Sequence, residues 1–348
     1  MPKYWMISDR AFDKDGPTSQ KGPPTYWTSD KAKLDALENW SAEAADTFQQ
    51  KLIDTADAFP MKTQGNNSEQ KHVCFLVHGF NNGFADAAHL YKKVCDNLFS
   101  GKDSLGLCIS LDWPSLGSLL GYLPDRDHAR DCANDIGQIF DAVHQWLLIK
   151  QRLAISDSSK ACRAKVSIIS HSMGNYVVQK ALSTVWQRNN QPLSVSLINQ
   201  LIMVAADVDN DLFEGNSESA TNGEAVANLS YRVTSLYSGR DTVLGASAGV
   251  KHFGVRRLGR SGLAYNPPHC KSGSQRDNIW EVDCSSFFPS SIGDGLTDQG
   301  DIHGAYFGHP DAPQGTYPLI REILRGTDRS VLSRLGFLDG KKWPSKKK

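Results

Sequence analysis

Short apolar runs alternate with stretches of helical periodicity along most of this chain. The apolar runs predict strands at Tyr4–Ser8, His72–Val77, Gly106–Leu111, Lys165–Ser170, Gln200–Ala205, Tyr231–Leu236 and Ile279–Val282. Several are continuously apolar, as is typical of parallel strands buried on both faces. The periodic stretches predict helices at Lys31–Ala58, Phe84–Leu98, Arg126–Gln151, Met173–Gln187 and Tyr317–Leu324. This alternation predicts an α/β fold with a mostly parallel central sheet and helices on both faces.

Three segments interrupt this alternation. Gly16–Thr25 is rich in Pro and Gly and is predicted to be a surface connection, Arg257–Asn278 is predicted to be a long loop, and the terminal KKWPSKKK a solvated basic tail. We expect residues 1–71 to supply an N-terminal strand and a long helix, capped by Ser29 and Asp30, that pack on the core. Residues 72–326 would form the main domain, with its long loop at 257–278, and residues 327–348 a C-terminal extension.

The composition is that of a folded protein with no charge bias. Hydrophobic residues make up 40% of the 348 residues, and 38 Lys and Arg balance 38 Asp and Glu. This argues against a disordered chain and against a dedicated nucleic-acid binder. No stretch reaches the roughly 18 apolar residues of a membrane span, and the N-terminus lacks the apolar core of a signal peptide. We therefore expect a cytoplasmic protein without membrane insertion.

The segment KVSIISHSMGNYVVQKAL carries the strongest chemical indication. A predicted strand ends at Ser170, a tight turn follows, and a helix begins at once, which is the context of a nucleophile elbow with Ser172 as the nucleophile. The usual pattern is G-x-S-x-G, and here Ser170 occupies the first glycine position. The alternative is a strand–helix turn of small residues without catalysis.

A second glycine turn lies upstream in HVCFLVHGFNNGF. In a hydrolase with such an elbow, this loop provides one oxyanion-hole donor and the backbone N–H after the nucleophile provides the other. The candidates are the N–H groups of Phe80 and Met173, with Gly79 allowing a close approach to the substrate. The alternative is a plain Gly/Asn turn that closes a strand.

Two carboxylates at strand ends are candidates for the acid. Asp241 follows the strand in YRVTSLYSGRDTVLGAS, and Asp207 follows the preceding one in LIMVAADVDNDLF. Both strand ends carry the acid in different hydrolases. We favour Asp241, and Asp207 would then hold a loop or cap the following helix.

The order nucleophile, acid, histidine predicts that the base follows Asp241. Of the four later histidines, His252 comes too soon after the acid and His269 lies in the Pro-rich loop. His303 lies beyond the last predicted strand and just before the last core helix, where the base belongs. His309 is the alternative base.

No cofactor motif is present. The sequence contains no HExxH pair, no GxGxxG and no P-loop, so we expect neither a metal nor a cofactor. In WPSLGSLLGY, Trp113 and Tyr122 are candidates to line a substrate pocket, and a loop packed over the core is the equal alternative.

Taken in order, these motifs resemble the α/β-hydrolase superfamily, and more narrowly a bacterial family of serine hydrolases with an HSMGN elbow. The shared segments are VHGFNNGF, WPSLGSLLGYLPD, IISHSMGNYVV, VAADVDNDLF, YSGRDTVLGAS and a late IHGAYF. The resemblance implies an α/β-hydrolase fold and an esterase or lipase-like activity on a small-molecule carboxylic ester. Thioesterase, peptidase, perhydrolase or acyltransferase chemistry on the same triad, and a non-catalytic binding module, remain alternatives. The resemblance assigns no oligomeric state.

Overall fold

A computed structural model describes residues 2–61, 66, 70–115, 122–188, 196–248, 254–266, 268, 276–293 and 302–338, with the side chains of 122–124 excepted. Its strands are β1 (Tyr4–Asp13), β2 (Gly16–Ser29), β3 (Ser41–Glu43), β4 (Lys71–Val77), β5 (Gly106–Asp112), β6 (Ala164–His171), β7 (Ile198–Val204), β8 (Ser230–Tyr237) and β9 (Ile279–Asp283). Its helices are α1 (Ala45–Asp57), α2 (Phe84–Leu98), α3 (Tyr122–Ser156), α4 (Gly174–Arg188), α5 (Ala220–Leu229), α6 (Thr242–Ala246), α7 (Leu258–Ser261), α8 (Ile302–Ala305), α9 (Tyr317–Leu324) and α10 (Arg329–Arg334).

The strands form one sheet in the order β3-β2-β1-β5-β4-β6-β7-β8-β9. From β1 to β9 every neighbouring pair is parallel, whereas β2 and β3 add an antiparallel extension at one edge. The predicted mostly parallel sheet is therefore confirmed. In such a sheet the carboxyl ends of the parallel strands share one edge, and the loops at that edge carry the functional groups.

Alternate residues of the central strands supply two separate cores. In β4, Val73, Phe75 and Val77 pack on the side of α1, α3, α4 and α5, whereas Cys74 and Leu76 pack on the side of α2 and α9. All five side chains are buried. Because successive side chains of a strand point to opposite faces, an unbroken apolar run is what a sheet covered on both sides requires.

The prediction of one long helix over Lys31–Ala58 is wrong. Only Ala45–Asp57 is α-helical, and the preceding residues form a short 3₁₀ turn at Leu37–Asn39 and the strand β3. Burial of Trp40, whose indole N–H donates to the carbonyl of Leu34, ties this segment to the core. Tertiary packing therefore overrides a local helical preference.

The surface connection predicted at Gly16–Thr25 is also wrong, because these residues belong to β2. This strand pairs with β1 along its length, with register shifts on either side of Arg10. The predicted loop at Arg257–Asn278 holds the short helix α7 where it is described. No described helix is long and apolar enough to cross a bilayer.

Acid should destabilise the fold through His72, which is buried in β4 beside Ser167. Burial, opposed by the Leu324 carbonyl, lowers the pKa of His72 to about 3. In the unfolded chain this histidine has an ordinary pKa near 6.5 and binds a proton below that pH, whereas in the folded chain it stays neutral. The free energy of unfolding therefore falls as the pH drops below 6.5. Between pH 7 and pH 5 we expect the unfolding free energy to lose about 2 kcal/mol from this group.

Urea unfolding at both pH values, on wild type and His72→Gln, measures this loss. The difference between the two proteins cancels every other titrating group. An equal pH response in both proteins would contradict the assignment.

Candidate active site

The turn between β6 and α4 holds Ser172 in a strained backbone conformation. Its φ of 50° lies in the left-handed region, which residues other than Gly, Asn and Asp rarely adopt. The Ser172 N–H donates to the carbonyl of Val204 at 3.0 Å, and the Ser172 carbonyl accepts from Asn175 N–H at 3.1 Å. The Asn175 amide also donates to the Ser170 and Ser172 carbonyls. These bonds hold the turn at a strand–helix junction, with the Ser172 side chain at the carboxyl edge of the sheet.

Two glycines let the chain pass close to this turn. A Cβ on Gly174 would lie 2.5 Å from the His78 carbonyl oxygen and 2.6 Å from that of Val77. A Cβ on Gly79 would lie 2.7 Å from the Ser172 Cβ. The loop after β4 therefore lies directly against Ser172.

Alanine at Gly174 should destabilise the protein strongly, because its Cβ would collide with backbone atoms that cannot move alone. We expect a loss of about 3 kcal/mol in unfolding free energy, measured by denaturant titration. Gly137→Ala in α3 is the matched control, since its Cβ would meet nothing closer than 3.5 Å. That change should be neutral or stabilise by up to about 1 kcal/mol. Equal effects from the two substitutions would contradict the steric argument.

His303 links Ser172 to Asp241. Its Nε2 lies 2.9 Å from Ser172 Oγ, and its Nδ1 lies 2.8 Å from Asp241 Oδ2. Because a carboxylate only accepts, Nδ1 carries the proton and Nε2 accepts from the serine hydroxyl. The three residues come from three separate elements: the β6–α4 turn, the start of α6 and the helix α8.

Asp241 is held in place by a hydrogen bond at the N-terminus of α6. It is the N-cap of α6, and its Oδ1 accepts from Leu244 N–H at 2.9 Å. The carboxylate is 1% exposed. With Oδ1 committed to the helix, Oδ2 is fixed toward His303, so the cap orients the imidazole.

The two alternative residues lie elsewhere. Asp207 is buried, forms an ion pair with Arg257 at 3.2 Å and accepts from Ser247 Oγ at 3.0 Å. Its backbone N–H donates to the Ser172 carbonyl, so it supports the turn. His309 lies in a turn after α8, where its Nδ1 accepts from Asp311 N–H at 3.1 Å. The side chains of Asp241 and His303, rather than those of Asp207 and His309, thus form the hydrogen-bonded chain that ends at Ser172 Oγ.

The loop between β4 and α2, residues 78–83, carries Gly79 and Phe80. The Asn82 side chain donates to the Gly79 carbonyl at 3.0 Å and to the Phe80 carbonyl at 3.1 Å. Asn81 has a φ of 61°, which turns the chain sharply. Met173 precedes α4, where N–H groups of the first turn have no acceptor within their own helix.

Trp113 does not line an open pocket. It has no exposed surface, and its indole N–H donates to the His78 carbonyl at 2.8 Å. The burial of Trp113 corresponds to the alternative of a loop packed over the core, in which Trp113 supports the first residue of the 78–83 loop. The side chain of Tyr122 lies outside the described residues.

Sequence reasoning missed His171, the residue before Ser172. Its Nε2–H donates to the His303 carbonyl at 2.9 Å, and its ring lies 4.8 Å from that of His303. Burial, reinforced by His303, lowers the pKa of His171 to about 3. His171 therefore stays neutral at ordinary pH and holds the backbone of the residue that faces Ser172. Its position inside the elbow motif was the available indication.

Within the described residues, no group of three or more His, Cys, Asp or Glu side chains is arranged to hold a metal ion.

Comparison with solved structures gives similarities at low identity. An esterase of Pyrobaculum calidifontis is 8% identical, with a TM-score of 0.37, over 92% of this chain and 84% of that one. Lipase B of Aspergillus fumigatus is 13% identical, with a TM-score of 0.35, over 76% of this chain and 59% of that one. The thermophilic carboxylesterase EstE1, cloned from a metagenomic library, is 11% identical, with a TM-score of 0.35, over 89% and 86%.

A search of curated proteins finds no significant match. A family model described as an alpha/beta hydrolase of unknown function (DUF900) matches residues 55–292, which is more than half of the chain. The matched region includes Ser172 and Asp241 and ends before His303. Together with the mostly parallel sheet, this match identifies the chain as a member of the DUF900 family of α/β hydrolases.

Proposed function

We propose that this protein is a serine hydrolase that cleaves carboxylic esters, with Ser172, His303 and Asp241 as its catalytic triad. The observation that carries the proposal is the continuous hydrogen-bonded chain from Ser172 Oγ through His303 to Asp241, at 2.9 Å and 2.8 Å. A nucleophile, a base and an orienting acid in hydrogen-bond contact are the requirements of acyl transfer through a covalent intermediate. The strained turn under Ser172 supports the same role.

The reaction proceeds in two steps. Ser172 Oγ attacks the ester carbonyl carbon while its proton passes to His303 Nε2, and Asp241 stabilises the resulting imidazolium. The C–O bond to the leaving group then breaks, and His303 returns the proton to the departing alcohol. In the second step a water molecule attacks the acyl carbon while its proton passes to His303 Nε2. The bond between the acyl carbon and Ser172 Oγ then breaks, His303 returns the proton to Oγ, and the carboxylic acid is released.

The backbone N–H groups of Phe80 and Met173 are proposed to hold the oxyanion. In a trans peptide the carbonyl and the next N–H point in opposite directions. Asn82 holds the Gly79 carbonyl on the inner side of the loop, so the Phe80 N–H of the same peptide unit points the other way. Each donor would contribute about 3 kcal/mol to the transition state.

Labelling with a fluorophosphonate probe tests the proposal. We expect the folded wild type to form a covalent adduct, located on Ser172 by peptide mass spectrometry, and to hydrolyse p-nitrophenyl esters. A series of increasing acyl length then measures the acyl preference. A folded protein that forms no adduct and cleaves no ester of the series would overturn the proposal in favour of a non-catalytic binding module. If the protein forms the adduct but cleaves only thioesters, it is a thioesterase. If it consumes esters only when an alcohol is added, it is an acyltransferase.

A further inference from the structure

A buried polar cluster lies beside the 78–83 loop and is not part of the triad. Arg10, near the end of β1, is 2% exposed, and its Nε donates to both carboxylate oxygens of Asp112 at 2.9 Å and 3.1 Å. Asp112 is the last residue of β5, and its other partners are Ser8 Oγ at 2.8 Å and His78 Nε2 at 3.2 Å. Three residues far apart in sequence thus meet at the carboxyl edge of the sheet.

The cluster contacts the loop at two points. Arg10 Nη2 donates to the Asn82 carbonyl at 3.0 Å. His78 is the first residue of the loop, and its Nδ1 lies 3.0 Å from the Gly79 carbonyl oxygen. Since the Asn82 side chain also holds that carbonyl, both contacts act on the peptide unit that joins Gly79 to Phe80.

A need for stability alone does not account for this cluster. Burial by itself would raise the pKa of Asp112, but Arg10 and His78 lower it overall, so the carboxylate stays ionised. A buried ion pair can often be replaced by apolar side chains with no loss of stability. Holding a loop in one orientation, however, requires the directed hydrogen bonds that only a polar cluster supplies.

We propose that Arg10, Asp112 and His78 are positioning residues of the oxyanion hole, which fix the Gly79–Phe80 peptide so that the Phe80 N–H faces the reacting carbonyl. The inference rests on the proposed function. It makes the β1–β2 hairpin part of the catalytic machinery, although that hairpin lies outside residues 55–292, the part that matches the family model.

The test replaces the ion pair as a unit. Arg10→Met combined with Asp112→Leu removes both members of the ion pair together, so neither is left as a buried charge without its partner, and the fold should survive. We expect kcat for a p-nitrophenyl ester to fall about 100-fold, as for loss of one oxyanion donor, with KM changed less than about threefold. Hydrogen–deuterium exchange of the peptide spanning residues 78–83 should become faster. Arg10→Lys as a single change should keep the fold and the contact with Asp112 but only part of kcat, because one ammonium cannot reproduce the guanidinium fork.

The matched control is the pair Arg276 and Glu224, which is joined at 2.7 Å between the segment before β9 and α5. Arg276→Met with Glu224→Leu should leave kcat and the exchange of the 78–83 peptide unchanged. A folded Arg10/Asp112 double variant with wild-type kcat and wild-type exchange would overturn the inference while leaving the proposed hydrolase intact. If wild type itself neither reacts with the probe nor cleaves esters, the proposed function fails, and the exchange measurement still reports whether the cluster holds the loop.

Discussion

Replacement of Ser172 by alanine should abolish covalent labelling and lower kcat for ester hydrolysis by about 10⁵- to 10⁶-fold. The hydroxyl removed is the one that lies 2.9 Å from His303 Nε2, so the base loses the group that it would activate. The rate that remains would come from the oxyanion donors and from substrate binding. Steady-state kinetics with a p-nitrophenyl ester, on protein purified free of host esterases, measures the loss.

The variant should stay folded, because alanine removes one oxygen and leaves the backbone at the same positive φ. Ser172→Gly should be more stable than wild type by about 1 kcal/mol, since glycine adopts this conformation without strain, yet it should be equally inactive. Ser183→Ala is the matched control, because Ser183 is a buried serine on the adjoining helix α4. Substantial turnover by folded Ser172→Ala would rule out the serine mechanism.

The central sheet could be predicted from the sequence because its strands are buried on both faces. The observed β4 begins one residue before the predicted run His72–Val77 and ends at the same residue, and β6 extends the predicted run Lys165–Ser170 by one residue at each end. Such strands leave short, largely apolar runs, and their length and the turn residues around them favour strands over helices. Their order, each followed by a helix, then fixes a parallel sheet.

The N-terminal region could not be predicted because its structure depends on partners distant in sequence. β2 contains Pro17, Pro23 and Pro24, and only its pairing with β1 and β3 makes it a strand. The segment after Ser29 has a helix-favouring composition, yet the Ser29 hydroxyl donates to the Asn39 carbonyl and folds the chain back. Neither contact can be predicted from the propensities of the residues in the segment itself.

Some residues of the candidate site could likewise be predicted from the sequence, and others could not. Ser172 is marked by a local strand–turn–helix pattern, so its turn can be read from the sequence. The pairing of Arg10 with Asp112 joins β1 to β5 over 102 positions of sequence, and no spacing rule connects them. A strand-end carboxylate at Asp112 was the available indication, but the same feature describes Asp207 and Asp241. Only the fold distinguishes which strand end faces which loop.

Replacement of Asp241 by asparagine should lower kcat about 10⁴-fold while leaving KM and the fold nearly unchanged. The N-cap bond explains why. Leu244 N–H needs an acceptor, so the amide oxygen takes the Oδ1 position and the NH₂ group faces His303. A donor there cannot accept from Nδ1–H, and the imidazole shifts its proton to Nε2. His303 then presents a proton to Ser172 in place of a lone pair, and the base is lost.

Asp207→Asn is the matched comparison, because Asp207 is an equally buried carboxylate at the neighbouring strand end. It faces Arg257 and Ser247 rather than His303. Loss of its charge leaves the fully buried Arg257 with Asp209 as its remaining ion-pair partner, which should cost about 3 kcal/mol of unfolding free energy. kcat of the folded fraction should change less than about tenfold, since the Ser172–His303–Asp241 chain is intact. Measuring kcat and the denaturant midpoint of both variants therefore distinguishes the two acids. If Asp207→Asn lost kcat about 10⁴-fold while Asp241→Asn stayed active, the catalytic role would belong to Asp207.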